Sequence, residues 1–387
     1  MNIVNICMGA PFTEGYTYQD SMLSDYQKRL GHDVTVITGL RTRDQNGKVV
    51  LTDPGECVLS NGVRLIRLAP QGIGKIAHNV FGVFPEISRK LAELSPDFIM
   101  VHGLGSHAAQ YAVRYKRSHP QVCLIADTHQ DYGITNTNSI PLNIIAHYFR
   151  FRWRKWVHEF EKIYAVTSWR TAFAHEQYGI PYEKMDVLIL GMDDRLIHLC
   201  EDEQNRHDVR EKYGIAQDAF LFVSGGKLDR NKGIIPMMRA FSGLQQENVR
   251  YLIFGSVGND IEEEFHELLR NDSRMVHIGY IPSVETNNVM AAADFGLFAG
   301  LHSVLWEQAV GCGLPCLFRR YSENDHVNVG GNCIQIDTAE VDTILNIMRQ
   351  VSDDENVYRT MKNAAQAAAE KFSYTAIAKK SVECAKK

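Results

Sequence analysis

Short apolar runs alternate with amphipathic stretches along the whole chain, the pattern of a parallel sheet wrapped by helices. In the first half, the runs at 2–8, 34–38, 63–67, 98–102, 122–127, 162–166 and 186–190 predict strands. The stretches between them predict helices over 18–30, 80–94, 106–118, 143–160 and 168–178. A polar, charged segment at 200–215 breaks the alternation and reads as a linker. Beyond it the pattern restarts, with strands near 219–224, 250–255, 275–278, 294–298, 315–318 and 333–336. The chain therefore reads as α/β, with two Rossmann-like domains over 1–200 and 201–372. A terminal helix over 373–387 is expected to pack back on the first domain. At 387 residues the chain exceeds what one hydrophobic core usually serves, which agrees with two domains. Two open sheets in succession place a ligand at the carboxyl ends of their strands, in a cleft that the domains face.

Composition narrows the class. Hydrophobic residues at 45% and charged residues at 22% exclude a disordered or fibrous chain. The formal charge of −5 divides into +2 for residues 1–200 and −7 for the remainder, so an anionic acceptor or a membrane surface is expected to meet the first half. Net acidity without a recognised module argues against nucleic-acid binding. The eight cysteines contain no CxxC pair, and Cys312 and Cys316 lack a second pair for zinc. They read as reduced, buried thiols of a cytosolic protein. No signal peptide or bilayer-spanning run is visible, so the expected location is cytoplasmic, at most peripheral on the inner face of the membrane. Residues 144–157 interleave aromatics with Arg150, Arg152, Arg154 and Lys155. Such a helix suits a membrane interface, but also a domain helix whose arginines snorkel from a buried stripe; the structural reading is preferred.

The first strand-to-helix turn, Met8 to Tyr18, does not fit G-x-G-x-x-G, and the second strand ends in Thr38-Gly39 rather than an acidic residue. A nicotinamide dehydrogenase is therefore not expected. Gly15 would let this loop's backbone approach a phosphate or sugar. A richer signal is Val223-Ser-Gly-Gly-Lys-Leu-Asp-Arg-Asn-Lys-Gly233, where a buried strand runs into two glycines followed by Lys227, Arg230 and Lys232. Phosphates favour such a turn, which offers close backbone approach, positive charge and free N–H groups at a helix start. In a second segment, Phe298 to Pro315, a helix beginning near His302 and Ser303 would aim its first N–H groups at the same ligand. Glu307 and Gln308 follow as candidates for a ribose diol, the bland alternative being a surface carboxylate and amide. His129, with His102 beside it as a second candidate, stands out by its place at the carboxyl end of a buried strand.

Taken together, these segments resemble the retaining glycosyltransferases of GT-B fold, the group 1 type found in bacterial surface-polysaccharide synthesis. Gly31-His-Asp-Val-Thr-Val-Ile-Thr38 is similar to the family's second strand, and Asp127-Thr-His129 to its strand-end histidine. Leu190-Gly-Met-Asp193 resembles the Asn-Gly-Val-Asp signature, while Gly226-Lys-Leu and Lys232-Gly233 resemble the basic pair on the donor pyrophosphate. Gly279-Tyr-Ile-Pro282 and Ala293-Asp294 follow in order. The chain departs from the family at its two glutamates separated by seven residues. Aligning Gln308-Ala-Val-Gly-Cys-Gly-Leu-Pro315 puts Gln308 at the second and Gly300 at the first; a register one residue earlier uses Glu307 and Ala299. The first glutamate is missing in either register, and Gln308 is favoured for the second.

The resemblance implies a hexosyltransferase-type enzyme that moves a sugar from a nucleoside diphosphate sugar, UDP being the expected base, to an acceptor hydroxyl. Polysaccharide or glycolipid synthesis, with retention, is implied too. His129, Lys227 and Lys232 are the expected catalytic residues. The expected donor contacts are Gly15, Gly226, Arg230, Ile281, His302, Ser303, Glu307 and Gln308. The acceptor would be a saccharide or lipid-linked saccharide. Without an Asp-x-Asp motif, no catalytic metal and no cofactor are expected. The alternatives are a nucleotide-sugar epimerase on the same fold and a non-catalytic partner of another transferase.

Overall fold

The computed structural model describes residues 1–15, 18–44, 48–71, 83–131, 140–200, 202–321 and 325–386. The chain divides into two compact units, Met1–Ile189 with Tyr374–Lys387, and Leu190–Ser373.

The first unit opens with β1 (Asn2–Cys7), α1 (Gln19–Arg29) and β2 (Asp33–Thr38). A hairpin, β3 (Arg41–Arg43) and β4 (Val49–Leu51), and an edge strand β5 (Gly55–Val58) lead into β6 (Arg64–Arg67). Then come α2 (Glu86–Leu94), β7 (Phe98–His102), α3 (Ala108–Ser118), β8 (Cys123–Thr128), α4 (Ile140–Trp156), β9 (Lys162–Ala165), α5 (Ser168–Tyr178) and β10 (Met185–Val187). The sheet order is β10-β9-β8-β7-β1-β2-β6-β5, parallel throughout except for β5 on β6. Helices cover both faces, so β1, β7 and β8 are buried almost end to end and read as continuous apolar runs. Their register brings polar residues together at the carboxyl edge. Cys7 lies opposite Thr38, and His102 lies opposite Asp127.

On α4, Phe149, Trp153 and Trp156 are buried, and Trp153 Nε1–H donates to Leu104 O at 2.8 Å. The aromatic stripe is thus core, while Ile144 and Phe151 remain 66% and 55% exposed beside Arg154 and Lys155 on the outer face. The helix Tyr374–Ser381 packs within this unit, where Tyr374 stacks on Tyr26 at 5.7 Å and Gln27 Nε2–H donates to Ser381 Oγ at 3.1 Å.

The second unit comprises α6 (Glu203–Lys212), β11 (Phe220–Gly225), α7 (Ile234–Ser242), β12 (Val249–Phe254), α8 (Glu262–Asn271) and β13 (Met275–His277). It continues with α9 (Ser283–Ala291), β14 (Phe295–Phe298), α10 (Leu305–Gly311), β15 (Cys316–Arg319), β16 (Cys333–Ile336), α11 (Val341–Asp353) and α12 (Glu355–Ala369). Its sheet is wholly parallel, in the order β13-β12-β11-β14-β15-β16. The order turns at β11 and β14, and at such a switch point an open parallel sheet receives its ligand.

Several expectations are corrected. The boundary falls at Ile189 rather than 200. Met192 N–H donates to Phe372 O at 2.8 Å, and Met192 Cβ fits against Gly311, where any added Cβ would meet it at 2.5 Å. The supposed linker at 200–215 contains α6 instead, capped by Asp202, which accepts from Gln204 N–H at 2.9 Å. Its charge conceals a helix because two of its arginines turn inward: Arg206 and Arg210 both reach Asp294, at 2.9 and 2.8 Å, from positions one turn apart. The helix foreseen over 80–94 begins only at Glu86, with residues 80–82 outside the described ones.

Candidate active site

The second unit gathers most of the expected donor residues around the end of β11. Gly225 and Gly226 are required there by packing. A side chain on Gly225 would overlap the Phe254 ring, and a Cβ on neighbouring Gly255, at φ +122°, would overlap Gly226 O. This tight turn passes Leu305 of α10, 3.2 Å from where a Cβ on Gly226 would stand. The chain then enters a short 3₁₀ turn, Arg230–Lys232, capped by Asp229, whose Oδ1 accepts from Lys232 N–H at 3.2 Å.

The three cations of this turn have different surroundings. Lys227 is 76% exposed, 3.6 Å from Asp229 Oδ2. Arg230 points away, donating to Asp260 O at 3.0 Å. Lys232 is half-buried, and its Nζ donates to Leu301 O at 2.7 Å and His302 O at 3.2 Å. Lys232 is thereby tied to the loop 300–303, which carries the expected donor contacts His302 and Ser303. Leu301 N–H returns a bond to Asn231 O at 2.8 Å. The segments run so close that a Cβ on Gly300 would overlap the backbone of Asn231 and Lys232. No side chain fits at 300, the position that one of the two registers of the resemblance gives to the first glutamate. Ser303 and Lys232 line a small cavity with Gly225, Gly300, Leu301 and Trp306. Ile281 is buried just beyond β13.

Helix α10 starts at Leu305, so His302 and Ser303 belong to the loop before it rather than to the expected first turn. Glu307 is no surface carboxylate. It is fully buried, and its Oε1 accepts from both His302 Nε2–H and His326 Nε2–H at 2.7 Å. Burial alone would raise this carboxyl, but the two imidazoles overcome it and hold the group well below the usual carboxylate range. Both imidazoles bond the same carboxylate oxygen, Oε1. Gln308, one position on, is also buried. Two imidazole nitrogens and one carboxylate oxygen lie within 4.8 Å of one another here, a donor set of the kind that binds zinc. The 2.7 Å separations are nonetheless those of hydrogen bonds. A second such group, His207, Asp208 and Glu211, is exposed.

In the first unit, the carboxyl edge of β1, β7 and β8 holds a separate polar cluster. Asp127 is fully buried; its Oδ2 accepts from His102 Nδ1–H at 2.7 Å, and its Oδ1 from Gly103 N–H at 3.2 Å. His129 is more exposed, with Nε2 3.6 Å from Asp127 Oδ2. Burial would push the Asp127 carboxyl up, but His102 and then His129 carry it well below its ordinary range. Burial works against a charged His102, yet Asp127, with Cys7, raises its imidazole well above the usual value. Asp20, in the first turn of α1, faces the same histidines, and burial pushes its carboxyl up against their pull. Gly15 takes φ +76° with open space around its missing side chain. Residues 16, 17 and 132–139, which follow Gly15 and the His129 segment, lie outside the described ones.

Sequence reasoning named His129 but gave no role to Asp127, Asp20 or His326. The signal for Asp127 was its place two residues before His129, at the carboxyl end of the same strand. His326 carried no local signal, because only the packing of the segment after β15 brings it to Glu307.

Residues 21–196 match the model of Glycosyltransferase Family 4. No curated protein matches the chain. Among solved structures, Anabaena HepE in complex with UDP is similar at 15% identity, with a TM-score of 0.72 and 99% of each chain covered. The sucrose-phosphate synthase of Thermosynechococcus elongatus is similar at 14% identity, with a TM-score of 0.68 and coverage of 100% and 98%. WaaG, a glycosyltransferase involved in lipopolysaccharide biosynthesis, is similar at 16% identity, with a TM-score of 0.63 and coverage of 98% and 99%.

Proposed function

We propose that this chain is a glycosyltransferase, a reading supported by the family match over residues 21–196 and by the fold it shares with HepE and WaaG, and that its second unit holds a nucleoside diphosphate sugar while its first binds the acceptor. The observation that carries this reading is Lys232, a cation fixed by two loop carbonyls at the end of a glycine-walled strand turn. Lys232 and the exposed Lys227 neutralise the diphosphate as the bond from the anomeric carbon to phosphate oxygen breaks. A bond to the acceptor oxygen forms in its place, and the acceptor's proton is released with the nucleoside diphosphate. In the first unit the expected catalytic residue is His129, beside Asp127 and His102. UDP is the expected nucleotide of the donor, in keeping with the ligand named for HepE. Polysaccharide or glycolipid synthesis is the expected setting, in keeping with the role named for WaaG, and transfer proceeds with retention and without a metal.

No helix among the described residues is long and apolar enough to cross a membrane. The expected location is cytoplasmic, with α4 offering Ile144 and Phe151 beside Arg154 and Lys155 to an anionic lipid face.

The first test is a thermal-shift screen with UDP, GDP, ADP and CDP, followed by transfer assays with sugars of the base that binds. A rise in melting temperature with one nucleotide supports the donor site and names the base. No rise with any of them, in folded protein, refutes it. Conversion of the donor sugar with no acceptor present would favour an epimerase.

A further inference from the structure

The buried carboxylate of Glu307 is costly to keep. Only one of its oxygens is bonded, while Oε2 is buried without a hydrogen-bond partner among the described residues. For stability alone, apolar residues of similar volume generally serve as well as a buried ion pair, and an orphaned buried acceptor calls for an explanation. The contacts around it run in one direction. Glu307 Oε1 fixes the His302 ring at 2.7 Å, and that ring stands edge-on to Trp306 at 5.2 Å. His302 N–H donates to Tyr321 Oη at 3.3 Å, and His302 O accepts from Lys232 Nζ at 3.2 Å. His326 grips the same carboxylate oxygen from the segment after β15. Loop 300–303 is thus anchored by Glu307 underneath, and its carbonyls aim the ammonium of Lys232 above.

We propose that Glu307 is a positioning residue for the donor diphosphate: through His302 it sets the loop carbonyls that fix where the charge of Lys232 stands. The inference rests on the reading of Lys232 as a diphosphate contact. It assigns the buried acid a task that the missing first glutamate leaves to this loop. Direct contact between Glu307 and the donor is not part of it.

The test is a double-mutant cycle on the full chain, with UDP affinity read by calorimetry and, in parallel, donor KM, kcat and melting temperature. Glu307→Gln preserves shape but weakens both imidazole bonds. It is expected to raise the UDP dissociation constant and donor KM about tenfold. Lys232→Met is expected to do at least as much, and adding Glu307→Gln to Lys232→Met to change UDP affinity little further. His326→Gln, which loosens the carboxylate from the other side, should reproduce the Glu307→Gln effect in milder form. A merely structural role would lower the melting temperature and the active fraction, and so kcat, while leaving KM and UDP affinity alone. That outcome, or fully additive losses in the double variant, overturns the proposal. If the wild-type protein binds none of UDP, GDP, ADP or CDP, the donor reading itself fails and the inference falls with it. Wild-type binding with an unchanged Glu307→Gln variant overturns only the inference.

Discussion

Gly300→Ala probes the donor side at the point where the structure leaves least room. The new methyl would overlap the backbone of Asn231 and Lys232, atoms that cannot swing aside as the end of a long side chain can. To admit it, the loop must part from the 3₁₀ turn, straining the bond from Leu301 N–H to Asn231 O at 2.8 Å and that from Lys232 Nζ to Leu301 O at 2.7 Å. Overpacking of this kind costs about 1–3 kcal/mol, and each weakened bond adds roughly 0.5–1.5 kcal/mol. The expected loss is therefore about 2–6 kcal/mol. For a domain of this size each kcal/mol lowers the melting temperature by roughly 2–4 °C, so a fall of about 4–24 °C is expected in a thermal melt, with a matching shift in urea denaturation. Displacement of Lys232 should also weaken UDP about tenfold, measured by calorimetry well below the melting transition. Gly300→Glu, which restores the family's first glutamate, should do worse on both counts. A Gly300→Ala protein with unchanged melting temperature and UDP affinity would refute the reasoning, because the loop would then yield at no cost.

Lys227→Ala should leave the melting temperature unchanged, its side chain being largely exposed, while weakening UDP roughly 10–150-fold through one lost charge-assisted contact; undiminished affinity in calorimetry would remove Lys227 from the site. Sugar transfer should persist at full rate after exhaustive chelation, and loss of activity restored by zinc would instead make the His302, Glu307 and His326 group a metal centre. Asp127→Asn should destabilise the protein by about 1–3 kcal/mol at neutral pH, since it removes the charge-assisted bond to His102, which then stays buried as the neutral imidazole. The folded Asp127 carboxyl is held below its ordinary range, so its contribution is complete above that range and is lost as pH falls through the depressed value. Denaturation midpoints measured below about pH 4, where an unfolded aspartate takes up its proton, should therefore fall less steeply in Asp127→Asn than in the wild type, and identical slopes there would count against the pair.

Most of the architecture was legible because its strands are buried on both faces. Runs such as Phe98–Val101 and Leu221–Val223 have no amphipathic alternative, and the turns after them carry glycine or polar residues. The edge elements were harder to read. The hairpin of β3 and β4 and the strand β5 are short, half or wholly exposed and weakly patterned. Helix α6 was obscured by its charge, since a sequence cannot show that Arg206 and Arg210 turn inward until Asp294 is placed beside them. The start of α10 was set two to three residues early because His302 and Ser303 make a plausible helix entry, whereas Lys232 holds the carbonyls of 301 and 302 in a loop.

By itself the sequence determined the two parallel α/β sheets, the glycine turn after β11 with its basic residues, and the strand-end histidine. Each of these is written in local pattern, where hydrophobic period, glycine and charge act over a few neighbouring residues. Only the tertiary structure decided which cation is held and which stands free of the loop, why no side chain fits at 300, and that Glu307 lies between two histidines. Those facts depend on backbones and side chains far apart in the chain meeting at fixed distances. A buried carboxylate and a surface one look alike in sequence, and what separates them is the water that packing excludes and the partners it brings.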